Sequence, residues 1–391
     1  MKGLFWRPTK VSAKLLVLVA SLAVFGLIAV ERCRSIDVQA FHQEKVAAAE
    51  HASRCLQRIK QEKQQLGYQI RADLDPSSSG LIGAPLSAVT SLPGHLGAKQ
   101  TSINPNFAAV VVQMLKEAGV HEGDCIAVGC TGSFPAMNVA VYSALETLKV
   151  QPVVICSAGA SQYGANTPDF LWVDMERVLH EAGLISFRAV AASVGGYEDQ
   201  GLGMTDMARQ LIHEAIHRNG LPLINAATLN DSVEQRMEYY RTAASGAPIR
   251  AYINIGGGSA SVGRALGKKL YQPGLNVSPS PEALQVNSTM SHFARQGIPV
   301  LHFVEITQLA KAYGLPHAPA ETPAVGAGPV FAIVAYYRWL AAIVLISLLV
   351  ALKVFVVSAD GARAIAWLRG TRHTEPTLQL VGQRTGAELM V

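Results

Sequence analysis

The sequence predicts an α/β fold, Rossmann-like in its layering, with a mostly parallel sheet, helices on both faces and a transmembrane helix on each flank. Between residues 125 and 306, short apolar runs alternate with helical stretches. The runs are apolar at successive positions, which is typical of strands buried on both faces. Two longer apolar runs lie near the ends of the chain, and apolar residues make up 50% of it. Those runs predict the membrane spans.

The first predicted span covers residues 11–30, VSAKLLVLVASLAVFGLIAV. Lys2, Arg7 and Lys10 precede it, as in a secretory signal. No small-x-small cleavage site follows, because the run continues into AVERCRS. We therefore expect an uncleaved signal anchor rather than a removed signal peptide.

The second predicted span covers residues 330–357, and Arg residues follow it. Basic residues concentrate on the cytoplasmic side of a membrane, so both tails, 1–10 and 358–391, are predicted to be cytoplasmic. Residues 31–329 carry 23 Lys and Arg against 25 Asp and Glu, whereas the remainder carries 10 against 3. The net charge of +5 therefore comes from basic residues at the two ends of the chain. Their positions predict a protein of the cell (cytoplasmic or inner) membrane, which has the lipid bilayer as a partner and its main domain on the extracytoplasmic side. The net charge does not indicate nucleic-acid binding.

The segment 31–70 is predicted to be a stalk helix, because residues 37–67 lack Pro and are rich in helix formers. Its apolar positions are sparse, which favours a solvated spacer over a coiled coil. The α/β domain is assigned to residues 71–329. Its first part, 73–106, is rich in turn residues and predicted to be loops. A helix follows from Asn104 to Gly119.

The repeating part of the domain contains six predicted strands and five predicted helices. The strands are 125–130, 152–158, 188–193, 222–225, 251–256 and 299–306. The helices are about 135–148, 169–182, 205–219, 230–244 and 281–296. The sequence indicates no strand order.

Four of the strands end in segments rich in Gly and small polar residues, at 129–135, 157–169, 192–203 and 254–263. Ligands of such sheets bind beyond the carboxyl ends of the strands. We therefore predict a site lined by main chain, whose ligand-binding residues are Gly129, Gly132, Ser133, Ser161, Asn166, Gly195, Gly196, Asn254, Gly256, Gly257, Gly258 and Ser259.

None of these segments matches a nucleotide motif. The loop GCTGSFP lacks the Gly-Lys-Ser/Thr ending of a P-loop and the spacing of the dinucleotide fingerprint. We therefore predict no cofactor. The loop instead suits an anion, because a helix N-terminus gathers main-chain N–H groups.

Four residues are considered as candidates for catalysis. Ser133 either caps the helix that follows or acts as a nucleophile. Glu198 and Asp199, in GGYEDQG, either face water and cap helices, act as general acid or base, or bind a metal through oxygen. Cys130 either packs beside the sheet or acts as a thiol nucleophile.

His213 and His217 lie in HEAIH, which matches the zinc pattern H-E-x-x-H. Zinc needs a third ligand and a cleft. The segment looks like an outer covering helix, so we favour a solvated face over a metal site, with these two histidines as weak metal candidates.

Six segments together resemble the poly-gamma-glutamate system protein family. They are SGLIG, KQTSINPNFAAVVVQMLKEAGV, AVGCTGSFPAMNVAV, SAGASQYGANTPDFLWVDME, AASVGGYEDQGLG and NIGGGSASVG, which lie between about residues 70 and 315. The resemblance implies a bacterial envelope protein associated with the machinery that makes or exports poly-gamma-glutamate. It implies no particular catalytic residues.

Two functions remain open. The first is an accessory component of this capsule system that binds the polymer or its synthetase and export subunits, with a homo-oligomer possible. Lys268 and Lys269 would then either attract the polymer or simply face water at a helix end. The second is an amide hydrolase or transferase acting on the polymer, with Ser133 as nucleophile and donors from the glycine loops as an oxyanion hole.

Overall fold

A computed structural model describes residues 13–353 of the chain. The chain divides into two compact units. In the described part of the chain, one contains residues 13–37 and 334–353, and the other is Val38–Ile333. The predicted cytoplasmic tails, 1–10 and 358–391, lie outside the described residues.

The described residues form eleven strands and fourteen helices. The strands are β1 (Arg34–Val38), β2 (Cys125–Thr131), β3 (Gln151–Ser157), β4 (Asn166–Thr167), β5 (Phe170–Leu171), β6 (Ala189–Ser193), β7 (Leu223–Ile224), β8 (Ile249–Ile255), β9 (Gly274–Asn276), β10 (Val300–Phe303) and β11 (Ala332–Tyr336). The helices are α1 (Ala13–Arg32), α2 (His42–Gln65), α3 (Leu96–Ser102), α4 (Phe107–Glu117), α5 (Pro135–Thr147), α6 (Trp172–Glu181), α7 (Asp206–Arg218), α8 (Leu229–Ala243), α9 (Ser259–Val262), α10 (Arg264–Leu270), α11 (Pro281–Gln285), α12 (Thr289–Arg295), α13 (Ile306–Ala312) and α14 (Arg338–Leu352).

The larger unit is an α/β domain built on a seven-stranded sheet. Its strand order is β7-β6-β3-β2-β8-β10-β9, and all neighbours pair in parallel except β9, which is antiparallel to β10. The chain runs outward from β2 to β7 and then returns to β8 on the other side of β2. The loops after β2 and β8 therefore diverge, which opens a crevice at the carboxyl ends of the strands.

The two faces of the sheet are covered by different helices. Ile126 and Val128 of β2 pack with residues of α2, α4, α5 and α6, whereas Cys125 and Ala127 pack with residues of α8 and α12. Successive residues of β2 point to opposite faces. Both faces are thus buried, which explains why the strand is apolar at every position.

The structure confirms the α/β class and all six predicted strands. The predicted helix 281–296 is instead two helices, α11 and α12, because Ser288 begins the second one by accepting a hydrogen bond from Ser291 N. Strand β9, at the edge of the sheet, was not predicted. It has three residues, too few to carry a periodic pattern.

The prediction that 31–70 is a solvated stalk is wrong for α2. One stripe of this helix is buried in the main core of the domain, including Ala49, Ala52 and Ile59. Three of the six core residues of α2 are alanines, which allow the helix to pack closely on α4 and α5 but carry a weak hydrophobic signal. The domain therefore begins at residue 38, well before the predicted boundary at 71.

Within residues 13–353, no helix combines the length and apolarity that crossing a bilayer requires.

The second predicted span, 330–357, is not one continuous helix. It begins with strand β11, which pairs with β1 from the other end of the chain, and its helix α14 starts only at Arg338. The β-branched residues Ile333 and Val334 favour a strand where such a partner exists. Its last residues, and the first two of the span at 11–30, lie outside the described part.

We expect Ile59→Ala to lower the free energy of unfolding by about 2–5 kcal/mol, because a buried side chain of this size leaves a cavity. Gln64→Ala, on the exposed face of the same helix, should change it by less than about 0.5 kcal/mol. Urea unfolding of both variants checks this. Equal midpoints would contradict the packing of α2 in the core.

Candidate functional site

A cavity of about 560 Å³ lies at the carboxyl ends of the central strands. Its walls come from the loops after β2, β3, β6, β8 and β10 and from the segment that contains α3. The residues around it are Ser91, Leu92, Pro93, Gly94, His95, Gly97, Ala98, Lys99, Thr131, Ser133, Phe134, Ser157, Gly159, Ser161, Gly196, Gly256, Gly257, Gly258, Lys268, Val304, Glu305, Ile306, Thr307 and His317.

Lys99 of α3 is the most unusual group in this cavity. Its side chain is buried, with 3% of the residue exposed. The amine donates to the main-chain carbonyl of Ser133 and to the hydroxyl of Ser161, at 2.9 Å, and it lies 3.6 Å from the ring centre of Phe134. No carboxylate forms an ion pair with it among the described residues.

Burial and, to a smaller extent, the positive charge of Lys268 together lower the pKa of Lys99 from its ordinary value of 10.5 to about 7. Burial removes the hydration of a charged amine, which disfavours the charged form unless an opposite charge lies nearby. Lys99 has neutral partners only. Its amine is therefore able to hold or release a proton near neutral pH.

Two serines hold this lysine and each other. Ser161, in the loop after β3, places its hydroxyl against the Lys99 amine and donates its main-chain N–H to the Ser133 hydroxyl, at 3.0 Å. Both serines line the cavity. Ser133 does not cap α5, because Phe134 occupies the N-cap position. Its hydroxyl instead fixes the loop that carries Ser161.

The glycine loop after β8, residues 256–258, forms another part of the cavity wall, here called the glycine wall. Gly256 has a φ of +88°, and a Cβ there would lie 2.8 Å from the Thr131 hydroxyl, so only glycine fits without a shift. Buried Asn254 donates to Gly256 O at 2.7 Å and to His302 Nδ1 at 2.9 Å. Burial lowers the pKa of His302 to about 4, so the ring is neutral and accepts this bond. Asn254 thus fixes the position of the glycine loop after β8.

Six of the predicted ligand-binding residues line the cavity: Ser133, Ser161, Gly196, Gly256, Gly257 and Gly258. The others lie outside the lining and include Gly129, Gly132 and Gly195. Gly132 allows two loops to approach, because a Cβ there would lie 2.8 Å from Ala158 O. Asn166 bonds both main-chain groups of Ala84. Ser259 donates to Gly196 O at 3.1 Å and so joins two of the cavity loops.

The candidate acids Glu198 and Asp199 do not line the cavity. Glu198 forms two hydrogen bonds with Arg264, and these bonds lower its pKa. Asp199 is buried with Arg236, whose Nη2 lies 2.9 Å from its Oδ2, and it also accepts from Ser193 and Ser232. Both carboxylates therefore already have partners that fix the loop after β6.

The remaining candidates lie elsewhere. Cys130 is buried against the Tyr142 hydroxyl, 3.6 Å away, which agrees with a packing role. His213 and His217 lie on α7, and neither lines the cavity. Within residues 13–353, no three His, Cys, Asp or Glu side chains gather in a way that could hold a metal ion.

Sequence reasoning missed Lys99 because α3 lies in a segment assigned to loops. A signal is nevertheless present. Lys99 is the single Asp, Glu, Lys or Arg between Asp75 and Lys116, in a stretch otherwise made of apolar, small and polar residues. A single charged residue in such a stretch is a candidate for burial, because few of its neighbours are expected to be exposed to solvent.

Comparisons with protein-family models, with curated proteins and with solved structures find no match to this chain. The interpretation of the cavity therefore depends on its own geometry.

The free energy of unfolding should rise with pH between about 7 and 10.5, because in this window unfolded Lys99 is protonated while folded Lys99 is neutral. Lys99→Met should remove up to about 1.4 kcal/mol per pH unit of that rise. Below pH 7 both states are protonated, and the two curves should run parallel.

Urea unfolding from pH 6 to 10 measures this difference in slope, with Lys269→Met as the control that keeps the wild-type slope. Identical slopes for Lys99→Met and the wild type would show that the lysine keeps its ordinary pKa.

Asp199→Asn should lower the free energy of unfolding by about 3–5 kcal/mol, because it leaves the buried Arg236 charge without its partner. Glu198→Gln, next in sequence, should cost less than about 1 kcal/mol, because Arg264 stays hydrated. Thermal and urea unfolding compare the pair. A stable Asp199→Asn variant would reopen a catalytic role for Asp199.

Proposed function

We propose that this chain is an amide hydrolase or transferase in which Ser161 is the nucleophile and Lys99 is its general base. The observation that carries the proposal is the 2.9 Å contact between the Lys99 amine and the Ser161 hydroxyl, inside a cavity at the carboxyl ends of a parallel sheet. A serine beside a lysine that lacks a counter-ion is a recurring arrangement for acyl transfer.

The chemistry follows from the protonation of Lys99. With a pKa of about 7, an appreciable share of the amine is neutral at neutral pH and able to accept the Ser161 proton. Ser161 Oγ then bonds to the amide carbonyl carbon, and the C–N bond breaks as the amine leaves with the proton from Lys99. Water or an acceptor amine completes the turnover by displacing Ser161 from the acyl ester.

Main-chain donors for the oxyanion are present in the cavity wall. Within the described residues, the N–H groups of Gly257 and Gly258 have no hydrogen-bond acceptor. Both residues line the cavity. N–H groups that are fixed before the reaction stabilise a developing oxyanion without reorganisation. In this proposal the glycine loops keep their predicted role as oxyanion donors, Ser161 replaces Ser133 as the nucleophile, and Lys99 replaces Glu198 and Asp199 as the base.

The resemblance to the poly-gamma-glutamate system protein family supports the γ-glutamyl polymer as the substrate. The cavity agrees with this choice, because Lys268 and the N-terminus of α5 supply positive potential around it. The apolar segments at both ends of the chain support a place in the cell envelope, attached to a membrane beside the synthetase and export subunits.

A second function is favoured by one specific observation. The Lys99 amine has three partners, Ser133 O, Ser161 Oγ and the Phe134 ring, so it is also suited to clamping two loops without taking part in chemistry. The cavity would then bind the polymer as an accessory component of the capsule system.

Ser161→Ala should lower the rate of cleavage or transfer at least about 10³-fold, because the nucleophile is lost. Ser133→Ala should lower it less, since Ser133 only holds the Ser161 loop. The measurement is polymer length and new amine ends after incubation with the purified full-length chain. In the wild type, kcat/KM should fall as the pH drops below about 7, where Lys99 is protonated.

Three outcomes separate the two functions. Equal cleavage by wild type and Ser161→Ala would rule out the serine mechanism. Larger loss in Ser133→Ala than in Ser161→Ala would exchange the roles of the two serines. Polymer binding without cleavage by either protein would favour the accessory function.

A further inference from the structure

The cavity contains a second lysine whose surroundings differ from those of Lys99. Lys268, in the last turn of α10, lines the cavity, and 45% of its side chain is exposed. Its single ion-pair partner among the described residues is Glu305, at 3.9 Å, and that side chain is 61% exposed. Such a pair is weak, because water screens both charges. A stronger anion would therefore readily displace Glu305 from the Lys268 amine.

The geometry directs this lysine toward the site. A Cβ on Gly257 would lie 3.8 Å from Lys268 Cδ, so the Lys268 stem runs along the glycine wall. Both lysines line the same cavity, and the charge of Lys268 contributes to the lowered pKa of Lys99. Glu305 is the single carboxylate among the lining residues. A carboxylate on a ligand would thus find Lys268 as its charged partner in the cavity, whatever the protonation state of Lys99.

We propose that Lys268 is a specificity-determining residue, which binds a carboxylate that the substrate carries next to the amide to be cleaved. This inference rests on the proposed function and adds to it. A substrate carboxylate displaces Glu305 from Lys268 and places the neighbouring amide between the glycine wall and Ser161. A substrate without that carboxylate leaves Lys268 paired with Glu305 and gains no ion pair in the cavity.

Binding is measured by titration calorimetry with full-length Ser161→Ala, which retains the cavity but lacks the nucleophile. The probes are a short γ-linked glutamate oligomer and the same oligomer with its carboxylates converted to carboxamides. Lys268→Gln should weaken binding of the first about tenfold, as expected for a hydrogen bond to a charged group. It should leave binding of the carboxamide unchanged. Lys269→Gln is the matched control, because Lys269 is exposed and outside the cavity.

Equal losses in Lys268→Gln and Lys269→Gln would overturn the inference, since the oligomer would then respond only to surface charge. Binding of the carboxamide as tightly as the carboxylate would also overturn it. Because this experiment uses a variant without the nucleophile, its result does not depend on catalysis. Failure of the serine mechanism would appear separately, as undiminished cleavage by Ser161→Ala.

Discussion

The fold depends on burying both faces of β2, the central strand of the sheet. Ile126 and Val128 require a helical layer on one side, and Cys125 and Ala127 require another on the opposite side. A parallel sheet satisfies this requirement through crossover helices, with α5, α6 and α7 on one face and α8 and α12 on the other. The chain therefore builds outward from β2 in both directions, and its loops part at the carboxyl ends. The cavity is a consequence of that separation.

Electrostatics differ sharply between the cavity and the layer beneath it. Below the cavity, Arg236 and Asp199 are both buried, and each charge faces its opposite at 2.9 Å. In the cavity, Lys99 is buried with neutral partners alone. The first arrangement keeps charges fixed and balanced, whereas the second leaves an amine whose protonation is sensitive to its surroundings. Chemistry is expected at the second, because a group with a pKa near neutrality exchanges protons readily.

The candidate site was predicted in part. The loop segments after β2, β3 and β8 were identified by their glycines, and Ser133, Ser161 and Gly256 do line the cavity. The roles of individual side chains were not predictable, because they depend on partners distant in sequence. Glu198 and Asp199 are residue types that often serve as catalytic acids and bases. In the structure, however, Arg264 pairs with Glu198 and Arg236 pairs with Asp199. No local sequence pattern predicts such a partner, because it lies on a helix tens of residues away in the chain.

The sequence by itself determined the α/β class and the positions of its main strands, because burial of both faces leaves a continuous apolar run at each of them. It also located the glycine-rich strand ends, since close approach and unusual backbone angles restrict those positions to glycine. Only the tertiary structure decided that α2 belongs to the core and that Lys99 meets Ser161. A helix stripe that is half alanine and a lone lysine give no clear periodic pattern of hydrophobicity. Their environment is created by the elements that fold onto them, and burial turns an ordinary lysine into a group that titrates near neutral pH.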